Sequence, residues 1–184
     1  MALPARAAPA QPTSCEHPIA GGVQGGMNAS TWVGADDASL HLGALLGGFA
    51  TFHLIDRLAL QVELALSDKG ADFEGAAGEK IKEALLYLEA PVMARYDLPL
   101  AGPVTLHGLA GPGLAYLTDS KRTPKGDLRP IDLTVTAGVG ADLDAPSHHV
   151  SLDLRLGFGV VDAVEDGARR ARAMVVAILI GVTL

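Results

Sequence analysis

Cysteine is nearly absent. Cys15 stands alone, so no internal disulfide holds this fold, and with Pro12-Thr13-Ser14 before it the residue is a poor lipoprotein attachment site and reads as an unpaired tail thiol. Basic residues are scarce as well: 14 Lys and Arg against 21 Asp and Glu leave a net charge of -7. A nucleic-acid partner is thereby excluded, because a phosphate-binding surface needs clustered Lys and Arg. No stretch approaches the ~18 apolar residues of a spanning helix; the nearest is Met174–Leu184. The opening MALPARAAPAQPTS has no apolar core of the roughly 7–15 residues that a secretory leader requires, so an exported chain is expected here in its mature form with a starting Met added. Aromatics amount to one Trp, three Tyr and four Phe.

Against these absences stands a large apolar content, 49% of residues with a mean hydropathy of +0.29, and no helical span to carry it. The stretch Leu58–Lys69 shows where it goes. Leu58, Leu60, Val62, Leu64 and Leu66 alternate with Ala59, Gln61, Glu63, Ala65 and Ser67. Strict period two puts one greasy and one polar face on an extended segment, whereas at about 100° per residue a helix would scatter those leucines around its axis. The strand is also long enough, at roughly 9–11 tilted residues, to cross a hydrocarbon layer.

The same alternation recurs along the chain. Expected strands run over Ala20–Val33, Leu40–Leu54, Leu58–Lys69, Ala84–Leu98, Val104–Leu117, Ile131–Leu143, His149–Val161 and Ala171–Leu184. Leu45 and Phe49 fall on the polar face of the second, and Pro91, which lacks a ladder donor, predicts a local bulge in the fourth. Residues 1–18, rich in Ala and Pro, form an expected flexible tail ahead of a barrel domain at 19–184. After the first connection, short turns at 55–57, 99–103 and 144–148 alternate with long polar loops at 70–83, 118–130 and 162–170. Such segregation is what an up-and-down membrane barrel shows.

A soluble barrel would turn the leucines inward. The composition of the polar faces decides against it, because Gly, Ala, Ser and Thr with single scattered charges suit a narrow eight-stranded lumen rather than a solvated surface. The inward charges expected are Glu63, Glu89, Arg95, Asp132, Asp153 and Arg155. With four acids to two bases their pairing is incomplete, which leaves His41, His53 and His107 to share the excess. The fold class predicted is all-β: an eight-stranded antiparallel up-and-down transmembrane β-barrel.

Four segments stand in order along it: Gly22-Val23-Gln24-Gly25-Gly26-Met27-Asn28; Leu60-Gln61-Val62-Glu63-Leu64 with Lys69-Gly70; Tyr87-Leu88-Glu89-Ala90-Pro91-Val92; and Ala110-Gly111-Pro112-Gly113-Leu114. Together, over about residues 20–184, they resemble the porin-like outer-membrane β-barrel family of Gram-negative bacteria, whose members are often labelled PorT-like. The resemblance implies a membrane barrel located in the bacterial outer membrane and, for most members, no established molecular activity. It also implies outer-membrane lipids as surroundings and the barrel-assembly machinery as a partner in biogenesis. The chain departs from that family by ending in Leu184 instead of an aromatic residue and by having few aromatics for two interfacial girdles, although Trp32, Tyr96 and Tyr116 lie near expected strand ends.

Chemistry is sparse. The inward acids and arginines form either an ion path or a structural plug, and a narrow lumen favours the plug. His107 has no Ser and acid at a spacing that singles out a triad. His148-His149 point to opposite faces of a strand, which does not make a metal site. Lys121, Arg122 and Lys125, in an expected outside loop, are candidates for contact with anionic lipopolysaccharide or another envelope protein. No cofactor or metal is expected. The reading is a non-enzymatic structural or envelope-assembly barrel; the alternatives are a barrel holding a small apolar ligand, lipocalin-like or lipid-binding, and a lipid A-modifying enzyme.

Overall fold

The computed structural model describes residues 19–34, 38–74, 80–100, 102–120, 130–144, 148–160 and 172–184. Eight long strands follow one another: β1 (Ile19–Val33), β2 (His41–Ile55), β3 (Leu58–Glu74), β4 (Lys80–Pro99), β5 (Val104–Ser120), β6 (Ile131–Asp144), β7 (His149–Gly159) and β8 (Arg172–Thr183). Each pairs antiparallel with the next, and β1 returns to β8, from Gly22 opposite Thr183 to Val33 opposite Arg172. The sheet therefore closes and leaves no free edge along its wall. Ala38–Ser39 adds a two-residue strand against Asp72 and Phe73 of β3. Among the described residues there is no helix.

The period-two faces fall as the sequence predicts. Leu46 is 70% exposed on the outer wall, whereas Glu63 is 4% exposed inside. Met27, Leu42, Leu64, Val139, Leu152 and Ile178 join Leu46 outside. Water would not tolerate so continuous an apolar belt, and acyl chains would. Inside, Gln24, Asn28, Gln61, Ser67, His107, Asp153 and Arg155 are buried. The inward exceptions Leu45 and Phe49 are half-buried; the Phe49 ring lies over the bare backbone of Gly22, where a Cβ would collide with it.

Three expectations need correction. The loop placed at 70–83 is largely strand, since the β3–β4 ladder continues from Gly70 opposite Ala84 to Glu74 opposite Lys80. β5 likewise runs on to Ser120. Backbone pairing is indifferent to side-chain polarity, so the ladder outlasts the apolar alternation from which strand ends were read. Pro91 does not make a bulge either. Around it the ladders skip pairs without changing register: on the β3 side between Val62–Val92 and Ala65–Glu89, on the β5 side between Pro91–Gly113 and Ala94–Ala110. The irregularity sits earlier, between Leu86 and Tyr87. At the other end of the barrel the turns are short, with Asp56-Arg57 alone linking β2 to β3 and Gly102 at a positive φ of 94° before β5. The expectation of a flexible tail at 1–18 concerns residues outside those described.

Leu64, near the middle of β3 and 57% exposed, provides a direct test of the outward face. Leu64→Arg is expected to cost about 2–4 kcal/mol in lipid vesicles, the penalty for a cation at the bilayer midplane. Urea unfolding followed by the fluorescence of Trp32, the only tryptophan, measures it; an unchanged midpoint would place that face away from lipid.

Candidate functional site

The alternation sends polar side chains inward from neighbouring strands, and in the half of the lumen nearer the short turns they meet. Arg155 on β7 donates from Nη1 to both Glu63 oxygens, at 2.9 and 2.7 Å. Its Nη2 donates to Asp153 Oδ2 at 2.6 Å and to Gln24 Oε1 at 3.2 Å. Asp153 Oδ1 lies 2.7 Å from His107 Nε2, and the other ring nitrogen lies 3.1 Å from Asp142 Oδ2. Asp142 is bound by Arg95 Nη2. Arg95 also donates from Nη1 to Gln61 Oε1 at 3.3 Å, and Gln61 Nε2 donates to Glu63 Oε1 at 2.6 Å. The circuit thereby returns to Arg155.

Seven side chains from five strands, Glu63, Gln61, Arg95, Asp142, His107, Asp153 and Arg155, thus form a closed ring across the lumen. Asp97 hangs from it, accepting from Arg95 Nε at 2.8 Å, and Gln24 Nε2 donates to Glu63 Oε2 at 2.6 Å. Each charge has an opposite partner and several charge-assisted bonds, which is the condition for ions to be tolerated away from water. Two glycines make the space. A Cβ on Gly140 would collide with both Asp153 Oδ1 and His107 Nε2, and one on Gly138 would press on the Arg155 stem.

Of the inward charges expected from sequence, Glu63, Arg95, Asp153 and Arg155 share this ring. Glu89 does not. It pairs instead with Lys69, whose ammonium lies 5.9 Å from the centre of the Tyr87 ring. Asp132 stands towards the opposite end, where it borders a small cavity with Trp32, Lys69 and Tyr87. Of the three histidines expected to share excess charge, only His107 joins the ring; His41 lies 3.6 Å from Asp68, and His53 Nδ1 is buried without a hydrogen-bond partner. Gln24, Gln61, Asp97, Asp142 and Lys69 were not among the candidates. Period two turns each of them inward: Gln61 and Lys69 share the face of Glu63 on β3, Asp97 that of Arg95 on β4 and Asp142 that of Asp132 on β6, while Gln24 lies on the inward face of β1. Lys121, Arg122 and Lys125 lie outside the described residues.

Above the ring the lining mixes apolar side chains with isolated polar ones. Leu85, Tyr87, Ala115 and Leu117 cluster with Trp32 packed against them. Asn28 Nδ2 donates to Ser67 Oγ at 3.2 Å, and Ser30 Oγ donates to the Gly70 carbonyl at 3.0 Å. The set nearest to a metal site is Asp97, His107 and Asp142, with ligand atoms within 4.8 Å of one another. The Arg95 guanidinium already binds both of its carboxylates, so a dication would meet a fixed positive charge. Nor is His107 placed for nucleophilic catalysis, since both of its nitrogens face carboxylates. His149 Nδ1 is held by Asp144 Oδ1 at 2.6 Å on the exposed turn.

Residues 9–165 match a protein family described as outer membrane protein beta-barrel domain. No curated protein matches the chain. Among solved structures, Neisserial surface protein A (NspA) superposes with a TM-score of 0.56 at 13% identity, covering 88% of this chain and 96% of its own. Ail, the attachment invasion locus protein of Yersinia pestis, aligns with a TM-score of 0.44 at 14% identity, covering 90% of this chain and 98% of its own.

The ring sets up two expected outcomes. Arg155→Met strands Glu63 and Asp153 in the interior and should lower stability by about 3–5 kcal/mol, while Arg155→Met combined with Glu63→Leu should lose markedly less; equal losses in vesicle unfolding would contradict a coupled pair. Gly140→Ala should cost about 1–3 kcal/mol by overpacking against His107 and Asp153, whereas Gly108→Ala, where an added Cβ meets nothing nearer than 4.0 Å, should be close to neutral.

Proposed function

The chain belongs to the outer membrane protein beta-barrel domain family and is a β-barrel of the bacterial outer membrane, and from that premise we propose that it acts as a non-enzymatic structural or envelope-assembly component whose lumen is plugged. The observation that carries this reading is the closed ring from Glu63 through Arg95 and His107 to Arg155. Eight strands leave an interior that side chains fill, and here they fill it with mutually bonded ions. A solute crossing the barrel would have to break several of those bonds at once.

Two cavities beside this plug, among the described residues, measure about 10 and about 50 Å³. Ligand pockets for apolar molecules run to roughly 300–1,000 Å³, so the interior gives no support to lipid carriage. Lipid A chemistry is not supported either, since His107 has no nitrogen left for a nucleophile. The barrel then serves as an anchor: its wall meets outer-membrane lipid, and its long connections present contacts for lipopolysaccharide or another envelope protein. Lys121, Arg122 and Lys125 are the residues proposed for an anionic partner.

Planar bilayers test the plug. The unaltered protein should give no stable current steps, and Arg155→Ala with Glu63→Ala should introduce them; large stable currents from the unaltered protein would overturn the reading. For the loop, replacing Lys121, Arg122 and Lys125 together by Glu should weaken association with lipopolysaccharide vesicles most strongly at low salt, as screened charge attraction demands. Association independent of both charge and salt would remove these residues from the interface.

A further inference from the structure

Between the ring and the loop end lies the larger cavity, about 50 Å³, bordered by Asn28, Ser67, Lys69, Glu89, Thr136 and Arg155. Its lining residues carry both donors and acceptors: the hydroxyls of Ser67 and Thr136, the Lys69 ammonium and the Glu89 carboxylate. A polar lining of that kind suits a guest that can both give and accept hydrogen bonds. The volume admits a few water molecules or one comparably small polar solute.

Lys69 borders this cavity and also the smaller one above it, which Trp32, Tyr87 and Asp132 line. It is the residue the two linings share, held there by its ion pair with Glu89. The pair differs from the one beneath the cavity. Side chains of Lys69 and Glu89 are 14% and 15% exposed, against 6% and 2% for Arg155 and Glu63. Arg155 is fixed by a planar fork with several acceptors, whereas the Lys69 ammonium, on a flexible four-carbon stem, has one carboxylate, Glu89, besides the Tyr87 ring.

We propose that this cavity is a hydrated chamber for water and small hydrogen-bonding solutes, with the Lys69–Glu89 pair as its door on the loop side and the Glu63–Arg155 pair as its floor. Breaking the door joins the chamber to the upper cavity and leaves the floor in place. The chamber is then a dead end, exchanging contents with the loop side without passing them across the membrane. This inference rests on the plugged lumen proposed above, whose failure registers separately, as current steps from the unaltered protein.

Thiol labelling in reconstituted vesicles tests the door. In a Cys15→Ser background, Ser67→Cys places a reporter inside the chamber, and Thr136→Cys supplies a second on the opposite wall in case the first disturbs the Asn28 contact. The probe is ethylammonium methanethiosulfonate added to the vesicles, with labelling followed by mass. Labelling should be slow in the background and at least ten-fold faster once Lys69→Ala or Glu89→Ala is added. Equal rates with and without the door variants, or fast labelling in the background itself, would overturn the proposal.

Discussion

The seam between β1 and β8 is the constraint on which the other features depend. Twelve residue pairs, from Gly22–Thr183 to Val33–Arg172, join the first strand to the last, and only with that junction made does every strand have two neighbours. In hydrocarbon an unpaired strand edge has no water to turn to, so an open sheet of these sequences would strand a row of backbone donors and acceptors. Closure also creates an inside, and the inside is what allows Glu63, Asp153 and Arg155 to leave water in company.

The polarity of the wall follows from closure. Leu46, Leu64 and Val139 face outward because the surrounding medium accepts them, and the side chains between them are forced toward the axis by the pleat. A narrow axis cannot hold eight strands' worth of large side chains. The lining therefore alternates ions with absences: Gly140 yields the volume in which His107 meets Asp153, Gly138 the volume beside the Arg155 stem, and Gly22 the bed for the Phe49 ring. The same glycines that look like flexibility in the sequence are here the complement of bulky polar neighbours.

The interior is also divided along its length. Near the short turns it is ionic and continuously bonded; near the loops an apolar cluster, Leu85, Tyr87 and Leu117 around Trp32, lies beside single polar groups such as Ser30 and Asp132. Lys69 and Glu89 stand between the two regimes.

Much of this was legible in the chain because a strand's two faces are a local property: Leu60, Val62 and Leu64 identify theirs without knowing what lies opposite. The strand count, the outward leucines and the inward placing of Glu63, Arg95, Asp153 and Arg155 all came from that period. Who meets whom came from elsewhere. Glu63 and Arg155 are separated by most of the barrel in sequence, and they touch only because the stagger of the closed sheet brings β3 and β7 to one height across the lumen. That same stagger set Asp132 apart and drew Asp142 into the ring, whereas Glu89 meets Lys69 within the β3–β4 hairpin. The alternation of the sequence by itself determined which residues turn toward the axis, since each pleat is made by its own strand; their partners across the axis were decided by the tertiary structure alone, because the relative height of distant strands exists only once the barrel has closed.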